Sequence, residues 1–310
     1  MSSSAEVILN QPEQEPELKP DAKGKKGKSP FQLALRRFVR NRMAVAGIFI
    51  LLAVTLLSVC APLIAKHDPY ASDLYNTDAR PDGKHWLGTD DTGRDVFSRL
   101  LYGGRISLLI GLLTMIFTVL IGGTLGAVAG YYGKWVDMII MRATDVLLTL
   151  PTLLMFLFLA SILEKTSLWV LIVALALTSW ATTARIVRGQ FLSLREREFV
   201  LSARAIGCSD LRIIFRHMIP NALGPIIVNA TLLMAVMISV ESALSFLGFG
   251  VPEPTPTWGN MLNGARNIRV LTQQPWLWIP PGMMIVITVL AINFIGDGLR
   301  DAFDTRSTRR

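Results

Sequence analysis

Residues 202–220 read Ser-Ala-Arg-Ala-Ile-Gly-Cys-Ser-Asp-Leu-Arg-Ile-Ile-Phe-Arg-His-Met-Ile-Pro, a polar and basic interlude between two long apolar runs. It carries two short helical patterns broken at Gly207. Leu201 and Ala205 fall four apart on one face, and Gly207 supplies a backbone that can turn out of a helix. Ser209 or Asp210 is placed to cap a second helix. There Leu211, Ile214, Phe215 and Met218 recur at i, i+3, i+4 and i+7, with Arg212 and Arg216 on the other side. Pro220 is expected to end it. The pattern predicts a pair of short amphipathic helices hung between membrane spans.

The composition agrees. Of 310 residues, 51% are hydrophobic and only 17% charged, against ~25% charged in soluble proteins. The expected fold is an all-α polytopic membrane protein with six transmembrane helices. Residues 1–30 are polar and aperiodic and read as a tail. Within them Ala22-x4-Gly27-Lys28-Ser29 fits a permissive phosphate-loop pattern. A phosphate loop joins a buried strand to a helix, and this segment has neither. Residues 31–65 form a basic, amphipathic lead-in and the first span, whose 43–64 stretch carries no charge and is long enough for ~30 Å of hydrocarbon. Residues 66–105 are a hydrophilic loop. The core of five further spans occupies residues 106–300, at about 106–130, 138–163, 168–184, 221–247 and 276–295, with the loop 185–220 inside it. Residues 301–310 are a polar tail. Gly122, Gly126 and Gly130 repeat at four-residue spacing in the second span, a pattern that lets helix backbones approach closely. Asn229 and Asn293 are expected to make interhelical polar contacts.

Charge sets the orientation. With both termini inside, the outer segments hold 9 Lys+Arg and 9 Asp+Glu, so the whole net charge of +8 lies on the inner side. Basic residues favour the cytoplasmic side, which places residues 185–220 and both termini there. Trp258, Trp276 and Trp278 then fall at the outer interface. Cys60 and Cys208 fall on opposite sides, and no disulfide is expected.

No catalytic constellation emerges. His67 and His85 lie outside and His217 inside, so the three cannot share one metal site, and no Cys/His ligand spacing occurs. The Asp90, Asp91 and Asp95 cluster is interrupted by Thr92, Gly93 and Arg94, and reads as a solvated turn capping the next helix. Two acids fall inside spans, where charge is costly and often functional. Asp145 follows Arg142 by three residues, which suits a local ion pair. Glu241, in Ser239-Val-Glu-Ser242, suits a hydrogen-bonded interhelical contact. Either acid could instead line a transport path or gate. Of three readings of the loop around Gly207, a DNA-reading helix–turn–helix is opposed by the spans tethering both ends, so no nucleic-acid partner is expected. A helix lying on membrane lipid remains open. A docking element for a cytoplasmic partner accounts best for two helices joined by so short a turn.

Ser202-Ala203-x3-Gly207-x9-His217-x-Ile219-Pro220 resembles the coupling loop of ATP-binding-cassette importer permeases, E-A-A-x3-G-x9-I-x-L-P. Further motifs resemble the dipeptide/oligopeptide branch. They are Gly88-Thr-Asp-x2-Gly93-Arg94-Asp95, Ala184-Arg185-x-Val-Arg188-Gly189, Arg216-His217-x2-Pro220-Asn221, Leu244-Ser-Phe-Leu-Gly248 and Gly296-Asp-Gly298-Leu-Arg300-Asp301. The long first outer loop is similar to that of the second of the branch's two permease subunits. One departure stands out: the family's leading Glu is Leu201 here, and Ser202 replaces the first Ala.

The resemblance implies a non-catalytic permease subunit, without cofactor, in the cytoplasmic membrane of a prokaryote. Its partners would be a second homologous permease, one or two cytoplasmic P-loop ATPase subunits and an extracytoplasmic peptide-binding protein. Leu201, Ser202, Ala203, Arg204, Ala205, Gly207, Ser209, Asp210, His217 and Pro220 would form the ATPase-coupling surface. The cargo would be di- or oligopeptides, or in the same fold nickel chelates, glutathione or another small solute. A reading from another class is a secondary transporter or channel working through Asp145 or Glu241.

Overall fold

A computed structural model describes residues 30–162 and 167–303. The phosphate-loop pattern at 22–29 and nearly all of the two tails lie outside them. The chain is helical throughout, and among the described residues the only β-type pairing is an isolated bridge between Thr89 and Asp95. Helix α1 (Pro30–Arg40) leads into α2 (Arg42–Val59) and the one-turn α3 (Ala61–Ile64). After a long loop come α4 (Val96–Tyr132), α5 (Lys134–Thr149), α6 (Thr152–Ile162) and α7 (Leu168–Arg195). The short α8 (Glu198–Ala205) and α9 (Asp210–Arg212) precede α10 (Ile219–Phe246), and α11 (Trp258–Met261) and α12 (Ile268–Gln273) precede α13 (Pro275–Phe303). Among the described residues, five helices are long and apolar enough to cross a membrane, and the α5–α6 pair makes a sixth if counted as one bent span.

The bundle is ordered by α4, which packs on α7 and α10; α13 then packs between α10 and α2. The glycine stripe explains the α4–α7 contact. A Cβ at Gly126 would sit 2.4 Å from the Ala184 carbonyl oxygen, and one at Gly122 2.6 Å from that of Trp180. Only hydrogen fits there, so two backbones touch where lipid offers no hydrophobic drive for association. Asn229 adds a bond from Nδ2 to Thr183 Oγ1, 3.2 Å, between α10 and α7. Asn293, half-buried on α13, makes no side-chain hydrogen bond among the described residues.

Several boundaries differ from expectation. Helix α4 begins at Val96, ten residues before the predicted start of the second span, because Asp95 accepts from the backbone N–H and the hydroxyl of Ser98 and caps it. Its 37 residues extend about 55 Å at ~1.5 Å each, well beyond the ~30 Å of hydrocarbon. The predicted third span is two helices meeting at 86°. Pro151 lacks an N–H and its ring clashes with the preceding turn, and the residue before it is driven to extended backbone (Leu150 φ −95°, ψ 134°).

Pro220 does the opposite of what was expected: it does not stop the helix, which continues from Asp210 to Phe246. Residues Ile213–Met218 widen into a π-helix just before the proline. The wider turn admits the ring, and the Asn221 side chain donates to the His217 carbonyl at 2.6 Å.

Candidate functional site

The loop at 198–218 is built on a helix end that only glycine makes cheaply. Gly207 has φ +79°, and its N–H donates to the Arg204 carbonyl at 3.0 Å while that of Cys208 donates to Ala203 at 3.1 Å. These two bonds form the Schellman pattern, which satisfies carbonyls left open at a helix end. A Cβ at Gly207 would meet nothing within 4 Å. The glycine is therefore required by backbone conformation, and the space around it is open.

Below the turn, Val200, Ala203, Ile213, Ile214 and Met218 are buried against Tyr131 of α4, Val187 and Phe191 of α7 and Ala222 of α10. Above it, Leu201, Ile206, Leu211 and Phe215 are exposed, Ile206 at 80%. The predicted apolar face of the second helix is thus corrected. Ile214 and Met218 go inward with Ile213, whereas Leu211 and Phe215 point away, because the π-turn rotates the side chains out of the 3.6-residue register. Ser202, Arg204, Ala205, Ser209 and Asp210 are exposed, as is Pro220, and His217 is half-buried. Ser209 occupies the N-cap of α9 without a side-chain bond. Leu201, at the family's leading Glu, lies on the outer side and takes no part in the core.

Polar ties hold this unit to the bundle. The buried Tyr131 donates its hydroxyl to Asp210 Oδ1 at 2.5 Å, and the Arg204 guanidinium lies 5.5 Å from the Tyr131 ring centre. Arg195 reaches the Tyr131 carbonyl at 3.4 Å. Tyr131 was not singled out in the sequence. Its only signal is its place directly after Gly130, the last of the glycine stripe.

Asp145 pairs with Arg185 Nη2 of α7 at 2.5 Å, instead of with Arg142. Arg142 is exposed. Three residues on, Arg188 grips Asp137 with two bonds. The packing of α5 on α7 brings these partners together, which a single-helix count does not reveal. Glu241 is fully buried, and its carboxyl oxygens accept from Ser245 at 2.7 Å, Ser107 at 3.4 Å and Ser242 at 3.5 Å. Ser107 Oγ in turn accepts the N–H of Trp258 at 3.1 Å, so Glu241 sits where α4, α10 and α11 meet. Asp145 and Glu241 lie on different helix pairs and form no joint site.

Sequence comparison now places this architecture. The family model described as binding-protein-dependent transport system inner membrane component matches residues 122–309, and that of the N-terminal TM domain of oligopeptide transport permease C matches residues 29–81. A peptide permease protein of Brucella suis is 45% identical over 278 residues, covering 90% of this chain and 92% of the relative. The chain belongs to the peptide-permease family of binding-protein-dependent inner-membrane components. The oligopeptide transport system permease protein OppC of Bacillus subtilis is 40% identical, covering 91% of this permease and 92% of its own length. A chain from inward-facing conformations of the MetNI methionine ABC transporter shares the fold at a TM-score of 0.53 and 18% identity. That match covers 66% of the permease and 96% of the MetNI chain.

At the opposite end of the permease from Gly207, the Gly-Thr-Asp motif forms a polar lock. Asp90 accepts from the backbone N–H of Thr92 and of Arg94, from the Thr92 hydroxyl at 2.8 Å and from Arg94 Nε at 2.8 Å. Arg94 also reaches Glu253 in the loop after α10, at 2.8 Å. Burial pulls the Arg94 guanidinium down, and the bonds to Glu253 and Asp90 more than offset this, so it stays above its ordinary range. Neighbouring Asp91, with no such bond, is pushed up by burial and by Asp90. These residues line a cavity of about 540 Å3.

The expected solvated turn is solvated only in part: Asp91 is exposed and Asp90 and Thr92 are half-buried, but Gly93, Arg94 and Asp95 are buried. Asp95 does cap α4, but it is 4% exposed and also takes His85 Nδ1 at 2.9 Å. Trp258 is corrected too. It is fully buried, donating Nε1–H to the Leu100 carbonyl at 3.0 Å, and does not lie at an interface.

Proposed function

We propose that this permease passes short peptides inward across the cytoplasmic membrane, driven by separate ATPase subunits that seat on the loop around Gly207. Both termini and that loop lie in the cytoplasm in this reading. A second homologous permease completes the pathway, one or two P-loop ATPases supply the motion, and an extracytoplasmic binding protein delivers the cargo. One observation carries it: a Schellman-capped helix pair that buries one face in the bundle and leaves Leu201, Ile206, Leu211 and Phe215 uncovered on the other. An apolar face at a basic, polar end of a membrane bundle suits a protein partner. The buried face suits transmission, because packed interfaces switch between arrangements and do not deform continuously. Peptide cargo is supported by the relatives from Brucella suis and Bacillus subtilis.

Gly207→Trp tests it. A side chain at φ +79° must move the turn, and its bulk projects into the open space where a partner would sit. Uptake of a labelled tripeptide by the assembled transporter should fall at least tenfold, with membrane insertion unchanged. Normal uptake by a well-inserted variant would overturn the docking role, and tripeptide flux by the chain reconstituted alone would overturn the need for ATPase subunits.

A further inference from the structure

The fold brings His67, just after α3, against His85 and Asp95, which are 18 and 28 residues away. The two imidazoles stack with centroids 4.6 Å apart. One ligand atom from each of the three residues lies within 4.8 Å of the others. We propose that His67, His85 and Asp95 form a binding site for a divalent transition-metal ion, with zinc as the type case, that clamps the two ends of the 65–95 loop together.

The chemistry of the donors selects the ion. Two imidazole nitrogens and a carboxylate oxygen suit zinc, nickel or cobalt, whereas calcium and magnesium want oxygen ligands throughout. The His67 ring is also held as a metal-bound histidine is held. His67 Nε2 lies 3.1 Å from the Lys84 carbonyl oxygen. A carbonyl can only accept, so Nε2 carries the proton and Nδ1 keeps its lone pair. A hydrogen bond from the far ring nitrogen to a carbonyl or carboxylate is the usual support of a metal-binding histidine. Asp95 divides its labour: Oδ2 takes the N–H and hydroxyl of Ser98, while Oδ1 accepts from His85 Nδ1 at 2.9 Å, a proton that must shift to His85 Nε2 before both atoms can bind the metal. The cluster is screened but reachable, since the His85 side chain is 11% exposed, that of Asp95 is 3% exposed and His67 is half-buried. Ligand atoms around a tetrahedral zinc stand ~3.3 Å apart for bonds of ~2.0–2.1 Å. The three groups therefore need to close by no more than about 1.5 Å. Bound metal would cross-link the loop start at His67 to the N-cap of α4. The inference is independent of the cargo and of the ATPase partner.

The test uses the full-length, tag-free permease in lipid nanodiscs. Titration with zinc should show one ion per chain with micromolar affinity, and a thermal midpoint that rises with zinc and not with magnesium or calcium. Cobalt should give the visible absorption of a low-coordinate nitrogen–oxygen site. His67→Gln should weaken zinc binding at least tenfold while melting like the parent chain without metal, and His67→Cys should restore binding through its thiolate. His217→Gln, at the other end of the bundle, should leave binding unchanged. Zinc bound equally by parent and His67→Gln, or no saturable binding up to 100-fold above the micromolar range, would overturn the proposal.

Discussion

The two ends of this permease solve different problems with the same helices. At the end built from the 65–95 and 247–274 segments, the buried Arg94 and Arg99 are paired with acids of the chain itself. Asp90, Arg94 and Glu253 form a chain, Arg99 lies 3.5 Å from Asp90, and Trp258 plugs the space between α4 and α11. At the Gly207 end, few polar ties reach the loop, and Leu201, Ile206, Leu211 and Phe215 stay uncovered. A loop with one buried and one open apolar face is half an interface. The contrast separates an end where buried arginines are paired within the chain from one that keeps an apolar face uncovered, the face proposed to receive a partner.

The comparison can be broken most forcefully at the lock. Arg94→Ala removes the arginine that bridges Asp90 and Glu253 but leaves Arg99 3.5 Å from Asp90, so the cost should fall below the about 3–5 kcal/mol of a buried charge left wholly unpaired. The thermal midpoint of the purified permease should fall by several degrees. A fall no larger than that of an exposed arginine would mean the cap is not self-supporting. Next comes the stem joining the ends. Gly126→Ala drives a methyl against the Ala184 carbonyl and should cost about 1–3 kcal/mol. Gly123→Ala, with nothing within 4 Å, should be neutral or gain about 0.5–1 kcal/mol of helix propensity. Equal effects at both positions would remove the close α4–α7 approach as the organising contact.

Tyr131→Phe removes the hydroxyl held by Asp210 and should cost about 1.5–3 kcal/mol, the range for a bond to a charged group, at the lower end because Asp210 is exposed. Its larger effect is expected on transport, with uptake reduced severalfold in a permease that still inserts. Unchanged uptake would show that the loop needs no tie to α4. The smallest effect belongs to Arg185→Gln. Its pair with Asp145 is about half exposed on both sides, and such pairs contribute about 0–1 kcal/mol. A midpoint shift of several degrees would mean this pair is shielded in the bilayer.

The sequence alone determined whatever depends on local spacing. Apolar runs of adequate length marked the spans, a four-residue glycine period marked a close helix approach, and a glycine between two short amphipathic patterns marked the turn at 207. Each is decided within one or two helical turns, where backbone sterics and transfer energies act on neighbours in the chain. The tertiary structure decided everything that compares alternatives far apart. Arg142 and Arg185 are equally able to pair with Asp145, and only the packing of α5 on α7 selects Arg185.

Two prolines carry the same local penalty and met opposite fates. At Pro151 the chain bends by 86°, while at Pro220 a π-turn and the Asn221 side chain absorb the ring within a continuous helix. That choice turns on whether packing on the preceding turn, here Ile213, Ile214 and Met218 against α4 and α7, outweighs the lost hydrogen bond. The meeting of His67 with His85 and Asp95, and the burial of Trp258, depend likewise on how long loops fold back onto α4. The loop 202–220 shows both halves at once. Its helices and its turn follow from spacing, but the face it hides and the face it offers were set by the bundle beneath it.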